Sequence, residues 1–114
     1  KPIAKLGKNL EVISRARIDI SAMRLAVLQA AKAMDVLGNK EARVYVSAVK
    51  AMVPEIVCRI IDEAIQMHGA TGVSQWTPLA AMYTNQRHLR FADGPDEVHH
   101  MVVGRAELQK YDLW

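Results

Sequence analysis

Cysteine occurs once in these 114 residues, at Cys58, so an internal disulfide is excluded and a reducing compartment is the simpler setting. The surrounding apolar helical stretch predicts a buried, inert thiol. Glycine occurs six times, proline four times, and aromatics make up only 5% of the chain, which leaves few turn signals and little β character. No run of about 18 uncharged apolar residues exists, so no transmembrane helix is expected. There is no signal-peptide pattern, and the chain opens on Lys1 rather than Met, so it is expected to be a piece of a longer protein. The net charge of +3 is dispersed. Without a basic stripe carrying stacking aromatics, nucleic acid is not an expected partner.

What the chain does have is alanine, leucine, methionine and long charged side chains, a composition that favours helices. One expected helix runs from about Ile3 to Leu37. Its first apolar seam is Leu6, Leu10, Ile13, Ile20, Val27, Ala31 and Met34; its second is Ile18, Ala22, Leu25 and Leu28. Two seams predict packing on more than one side. Arg17 and Arg24 fall in register with the first seam and are expected to snorkel or to pair with Asp19 or Asp35. Gly38-Asn39 ends this helix and caps a second, from about Lys40 to His68, with Pro54 expected to kink it. Thr77-Pro78 starts a short third helix and Gly94-Pro95 a fourth, to about Lys110. The expectation is an all-α, up-down four-helix bundle forming one domain over residues 1–114.

The segment Arg90-Phe91-Ala92-Asp93-Gly94-Pro95-Asp96-Glu97-Val98-His99 carries the densest chemistry. Taken alone, Asp93 has two readings. As a helix-start carboxylate it complements the positive end of the helix dipole, together with Asp96 and Glu97. As a general base beside apolar Phe91 and Ala92 it would be raised by desolvation and lowered by the helix N-terminus. The adjacent pair His99-His100 projects in directions about 100° apart and does not make a metal site.

In order along the chain, Lys1-Pro2-Ile3-Ala4, Ala48-Val49-Lys50, Ala64-Ile65-Gln66-Met67-His68-Gly69-Ala70-Thr71-Gly72, Pro78, Asp93-Gly94 and Arg105 keep the spacing of motifs in the acyl-CoA dehydrogenases. The chain resembles the C-terminal domain of that family. The Ala-Asp-Gly-Pro-Asp-Glu-Val-His form is similar to the subgroup of family members ten and eleven and their bacterial relatives.

The resemblance implies a flavoenzyme of fatty-acid β-oxidation type that converts an acyl-CoA thioester to a trans-2-enoyl-CoA, with FAD accepting the β-hydrogen as hydride. Asp93 would take the α-proton, and Asp93 and Gly94 would meet the substrate. Gln66, Gly69, Ala70, Pro95 and Glu97 would lie at the cofactor positions. Homodimers or homotetramers and an electron-transferring flavoprotein are the implied partners. The implied location is the cytoplasm for a bacterial source, and the mitochondrion or peroxisome for a eukaryotic one.

This chain departs from the common family pattern in several places. Asp93 stands in place of Glu, one methylene shorter. Ala70 replaces a glycine. Pro95 and Glu97 replace a Thr and a Gln that contact FAD, and a Glu97 carboxylate accepts hydrogen bonds without donating any. Alone, the piece is expected to be inactive. The alternative reading is a non-catalytic helical module for assembly or scaffolding, with the base elsewhere.

Overall fold

The structure, a computed structural model, describes residues 2–114, and no strand occurs among them. A short 3-10 turn, Ile3–Lys5, precedes the long helical run α1, Asn9–His68. The first helix therefore starts later than expected, because Gly7 adopts φ 48° and the chain turns there. Lys1 lies outside the described residues.

Gly38 breaks α1 at φ 81°, ψ 171°, a conformation that side-chain-bearing residues rarely adopt. The break separates a first arm, residues 9–37, from a second arm, residues 39–68. Asp19 on the first arm meets Arg59 on the second, and Asn9 and Val12 share a groove with Gln66 and Met67, so the arms fold back as an antiparallel hairpin. At 1.5 Å per residue each arm is roughly 45 Å long. This explains a radius of gyration of 17.3 Å, against about 13 Å for a compact chain of this length. Pro54 is buried within the second arm, and helical dihedrals continue through it; the only non-helical backbone in the run is at Gly38.

Most of both expected seams points away from the second arm; Ile20 is half-buried, and Ile18 borders a groove with Arg59, Ile60 and Glu63. Leu10, Ile13, Val27 and Met34 of one seam and Ile18, Leu25 and Leu28 of the other are exposed. The arm's inward stripe is Val12, Ala16, Asp19, Met23, Ala26, Ala30 and Ala33, spaced alternately four and three residues apart, with Met23, Ala30 and Ala33 buried and the others half-buried. Small side chains let two helices approach closely, so packing selects the alanine stripe over the stripes of larger apolar residues. Asp19 pairs with Arg59 across the arms at 3.4 Å, rather than with Arg17 or Arg24.

Beyond the second arm, the 3-10 turn Gly69–Val73 leads to α2, Leu79–His88, and then α3, Asp96–Gln109. The Thr77 hydroxyl accepts from the Leu79 N–H at 3.4 Å and donates to Gly72 O at 3.3 Å, tying the start of α2 to the preceding turn. Both short helices pack on the second arm, which carries Ala42, Ser47, Ala51, Pro54, Cys58 and Ile61 as its buried residues. The expected all-α architecture of four helical segments holds.

Candidate functional site

The loop between α2 and α3 is built from a series of backbone bonds. Phe91 and Ala92 N–H both donate to His88 O, at 2.9 and 3.1 Å, and Asp96 N–H donates to Arg90 O at 3.1 Å. Asp93 sits at the apex with φ 56°, in the left-handed region that Asp tolerates better than most residues, and Gly94 follows at φ 107°. Pro95 is extended, with ψ 162°, and Asp96 and Glu97 occupy the first turn of α3. Asp93 is exposed, and its N–H makes no hydrogen bond among the described residues. One residue thus presents a solvent-facing carboxylate and an uncommitted amide donor.

Three side chains hold this loop against the second arm and α3. The Lys50 ammonium donates to Leu89 O at 2.5 Å and to Gly94 O at 3.2 Å. The His99 ring lies 3.1 Å from Asp93 O through Nε2 and 3.2 Å from Ser47 Oγ through Nδ1. A carbonyl can only accept, so Nε2 carries the proton; in the neutral ring Nδ1 then accepts from the Ser47 hydroxyl. Arg90 Nε donates to Asp96 Oδ2 at 2.6 Å, which pushes the Arg90 guanidinium further above its already high range. Hydrogen bonds to a charged group contribute about 1.5–3 kcal/mol each, so the lysine and arginine contacts are the strong members of the set.

Beneath the loop the second arm supplies Cys58, whose thiol is pushed up by burial, with Arg90 and Arg87 partly opposing. The Arg87 guanidinium stacks on Phe91 at 4.9 Å. The inner Asp96 Oδ1 and Arg87 Nη1 are buried without a partner among the described residues.

The remaining expected cofactor positions lie elsewhere. Gln66, Gly69 and Ala70 are exposed at the far end of the second arm. Gln66 is 16 residues beyond Lys50, about 24 Å along the helix axis. Gly69 adopts φ 61°, ψ −146° and its N–H caps the helix on Gln66 O. Gly72 is buried, and only glycine fits there, since a Cβ would sit 2.6 Å from Ile65 O. Turn geometry and close packing therefore account for two of the signature glycines without any ligand. The expected positions form two groups: Asp93, Gly94, Pro95 and Glu97 around the loop, and Gln66, Gly69 and Ala70 at the hairpin's open end.

Sequence reasoning did not assign Ser47, Lys50, Arg90 or His99 to the site. Lys50 carried a usable signal, its place in Ala48-Val49-Lys50, one of the segments that keep the family's spacing. His99 had only its place one turn into the helix that the loop opens.

Comparison with known proteins places the chain in a family. The family model for the acyl-CoA dehydrogenase C-terminal domain matches residues 2–108. The chain is 46% identical over 110 residues to a Mycobacterium tuberculosis (strain ATCC 25618 / H37Rv) protein named Probable acyl-CoA dehydrogenase FadE2, covering 96% of this chain and 27% of that one. It is 47% identical over 109 residues to Acyl-CoA dehydrogenase family member 10 of Mus musculus, covering 96% of this chain and 10% of the relative. A solved Mycobacterium abscessus structure assigned to the acyl-CoA dehydrogenases superimposes with a TM-score of 0.94 at 50% identity, over 97% of this chain and 27% of that one. An electron transferring flavoprotein of Acidaminococcus fermentans shares the fold, with a TM-score of 0.85 at 21% identity over 93% of this chain and 27% of its own. The chain spans about a quarter or less of the length of these relatives. It belongs to the acyl-CoA dehydrogenase family, as an instance of that family's C-terminal domain.

Proposed function

We propose that this domain supplies the proton-abstracting base of an FAD-dependent acyl-CoA dehydrogenase, which converts an acyl-CoA thioester to a trans-2-enoyl-CoA. The observation that carries the reading is Asp93 itself, with an exposed carboxylate and a free N–H on one residue of a clamped turn. The carboxylate removes the α-proton. The N–H donates to the thioester carbonyl as negative charge develops there, and a preorganised donor of this kind stabilises the transition state more than the ground state. Bound FAD would supply the hydride acceptor for the β-hydrogen.

The residues at the two groups suit the cofactor unequally. At the open end, Gln66 offers an amide donor and acceptor, and Gly69 leaves its surface clear. At the loop, Pro95 has no N–H and the Glu97 carboxylate no donor, so side-chain donors to the cofactor there fall to other residues. Lys50, which anchors the loop, and Gln66 stand about 24 Å apart along the helix axis, further than one flavin ring spans. The reading therefore assigns Gln66, Gly69 and Ala70 to a different portion of FAD, or to the cofactor of a neighbouring subunit in a homodimer or homotetramer. An electron-transferring flavoprotein is the proposed electron acceptor.

The test is enoyl-CoA formation by the full-length parent and its Asp93→Asn variant, with a flavin electron acceptor. Asn also tolerates φ 56°, so the turn is kept while the base is lost. The expected result is a fall of roughly a thousandfold, about 4 kcal/mol of barrier, with the flavin spectrum intact. Unchanged turnover would place the base elsewhere. One observation favours a purely assembling module in that event: the first arm leaves Leu10, Ile18, Leu25 and Leu28 exposed, and such a surface must be covered by the parent or by another subunit.

A further inference from the structure

We propose that His99, with Ser47 behind it and Lys50 beside it, is a positioning device for the base: together they fix the carbonyls of Asp93, Gly94 and Leu89, and so set the backbone from which the Asp93 carboxylate and N–H are aimed. The inference rests on the reading of Asp93 as base, and it assigns roles to three residues that this reading leaves without one.

Asp93 and Gly94 both have positive φ, and neither belongs to a helix, so local dihedral preference holds this apex weakly. The contacts on the apex carbonyls come from His99 in α3 and Lys50 on the second arm. His99 Nε2–H holds the carbonyl of Asp93, Lys50 holds the carbonyl of Gly94, and the same ammonium holds Leu89 O on the approach to the loop. The ring of His99 is itself oriented by Ser47, whose hydroxyl is buried on the second arm and reaches Nδ1. The chain Ser47–His99–Asp93 thus runs from the packed helix to the reacting residue. Gly94 fits the same scheme, since a Cβ there would meet His99 Nε2 at 3.0 Å.

A carboxylate one methylene shorter than Glu has less reach and fewer rotamers with which to correct a misplaced backbone. The aim of the base therefore depends on the backbone that carries it. A misplacement of about 1 Å can cost a hundredfold in rate.

The experiment uses the full-length parent, loaded with FAD, and compares His99→Ala, His99→Gln, Lys50→Met and Asp93→Asn. Readouts are kcat and KM for enoyl-CoA formation, bound flavin by absorbance, and Tm. His99→Ala is expected to lower kcat ten- to a hundredfold, with KM and flavin content changed by less than about twofold. His99→Gln, whose amide can donate to Asp93 O and accept from Ser47, is expected to recover most of the loss. Lys50→Met is expected to lower kcat in the same way; should it fail to fold, Ser47→Ala takes its place. If Asp93→Asn abolishes turnover while His99→Ala leaves kcat within about twofold, the positioning role is overturned and the base reading stands. If His99→Ala lowers Tm, flavin content and kcat together and Gln rescues none of them, His99 is merely structural and the proposal fails. If Asp93→Asn retains full turnover, both readings fall together.

Discussion

The two arms of α1 have similar lengths and compositions but opposite surroundings. The second arm is covered by the first arm on one side and by α2 and α3 on others, and only Tyr45 and Val46 among its large apolar side chains are exposed. The first arm meets the second through one alanine-rich stripe, and it leaves Leu10, Ile13, Ile18, Leu25, Val27, Leu28, Met34, Val36 and Leu37 exposed. An apolar seam in sequence therefore says that a surface is to be buried, without saying that this domain buries it. The core of the domain is the second arm. The outer faces of the first arm stay exposed in this domain.

The sharpest way to break this contrast is a pair of truncations. Ile61→Ala on the second arm, at a residue 4% exposed, is expected to cost about 3 kcal/mol. Leu25→Ala on the first arm, at 69% exposed, is expected to change the stability of these 114 residues by less than about 0.5 kcal/mol. Chemical unfolding of both variants checks it; similar losses would mean that the first arm is as much core as the second.

A smaller effect is expected from the ion pairs. Arg90→Ala leaves the buried Asp96 carboxylate, 9% exposed, without its 2.6 Å partner, and is expected to cost about 2–3 kcal/mol. Arg59→Ala removes the exposed pair with Asp19, worth about 0.5 kcal/mol or less. Thermal unfolding in low and high salt separates the two, because only the exposed pair is strongly screened.

The smallest effect comes from Cys58. Burial pushes its thiol up, so above the unfolded value of about 8.5 the unfolded chain binds fewer protons than the folded one. Stability is then lost as pH rises from that value through the folded pKa. Cys58→Ala is expected to flatten this alkaline slope, measured as Tm between roughly pH 8 and 10.

Much of the fold was legible because helix periodicity, Gly38 and Thr77 act locally. Gly38 was readable as a stop, and its φ of 81° is what a stop needs. The expected kink at Pro54 did not appear as a dihedral break, because the proline is packed into a helix supported from several sides. The alanine stripe was missed because hydrophobicity ranks large residues first, while close helix approach selects small ones. At the candidate site, Asp93, Gly94 and the signature around Gln66 were visible as motifs. Lys50 and His99 stood within such motifs, but their roles and that of Ser47 were not legible, since Lys50 and His99 act on carbonyls 6 to 44 positions away and Ser47 on a ring 52 positions away.

The sequence by itself determined the all-α class, the joints between helices, the family and the residue that carries the exposed carboxylate, because caps, glycines and short motifs are encoded within a few neighbouring positions. Only the tertiary structure decided which stripe of the first arm is inside, that the expected site residues fall into one group at the α2–α3 loop and another at the hairpin's open end, and which side chains hold the Asp93 turn. Those outcomes depend on how closely two helices approach and on where a long-range fold brings a carbonyl within reach of a lysine or an imidazole, and no local pattern fixes such distances.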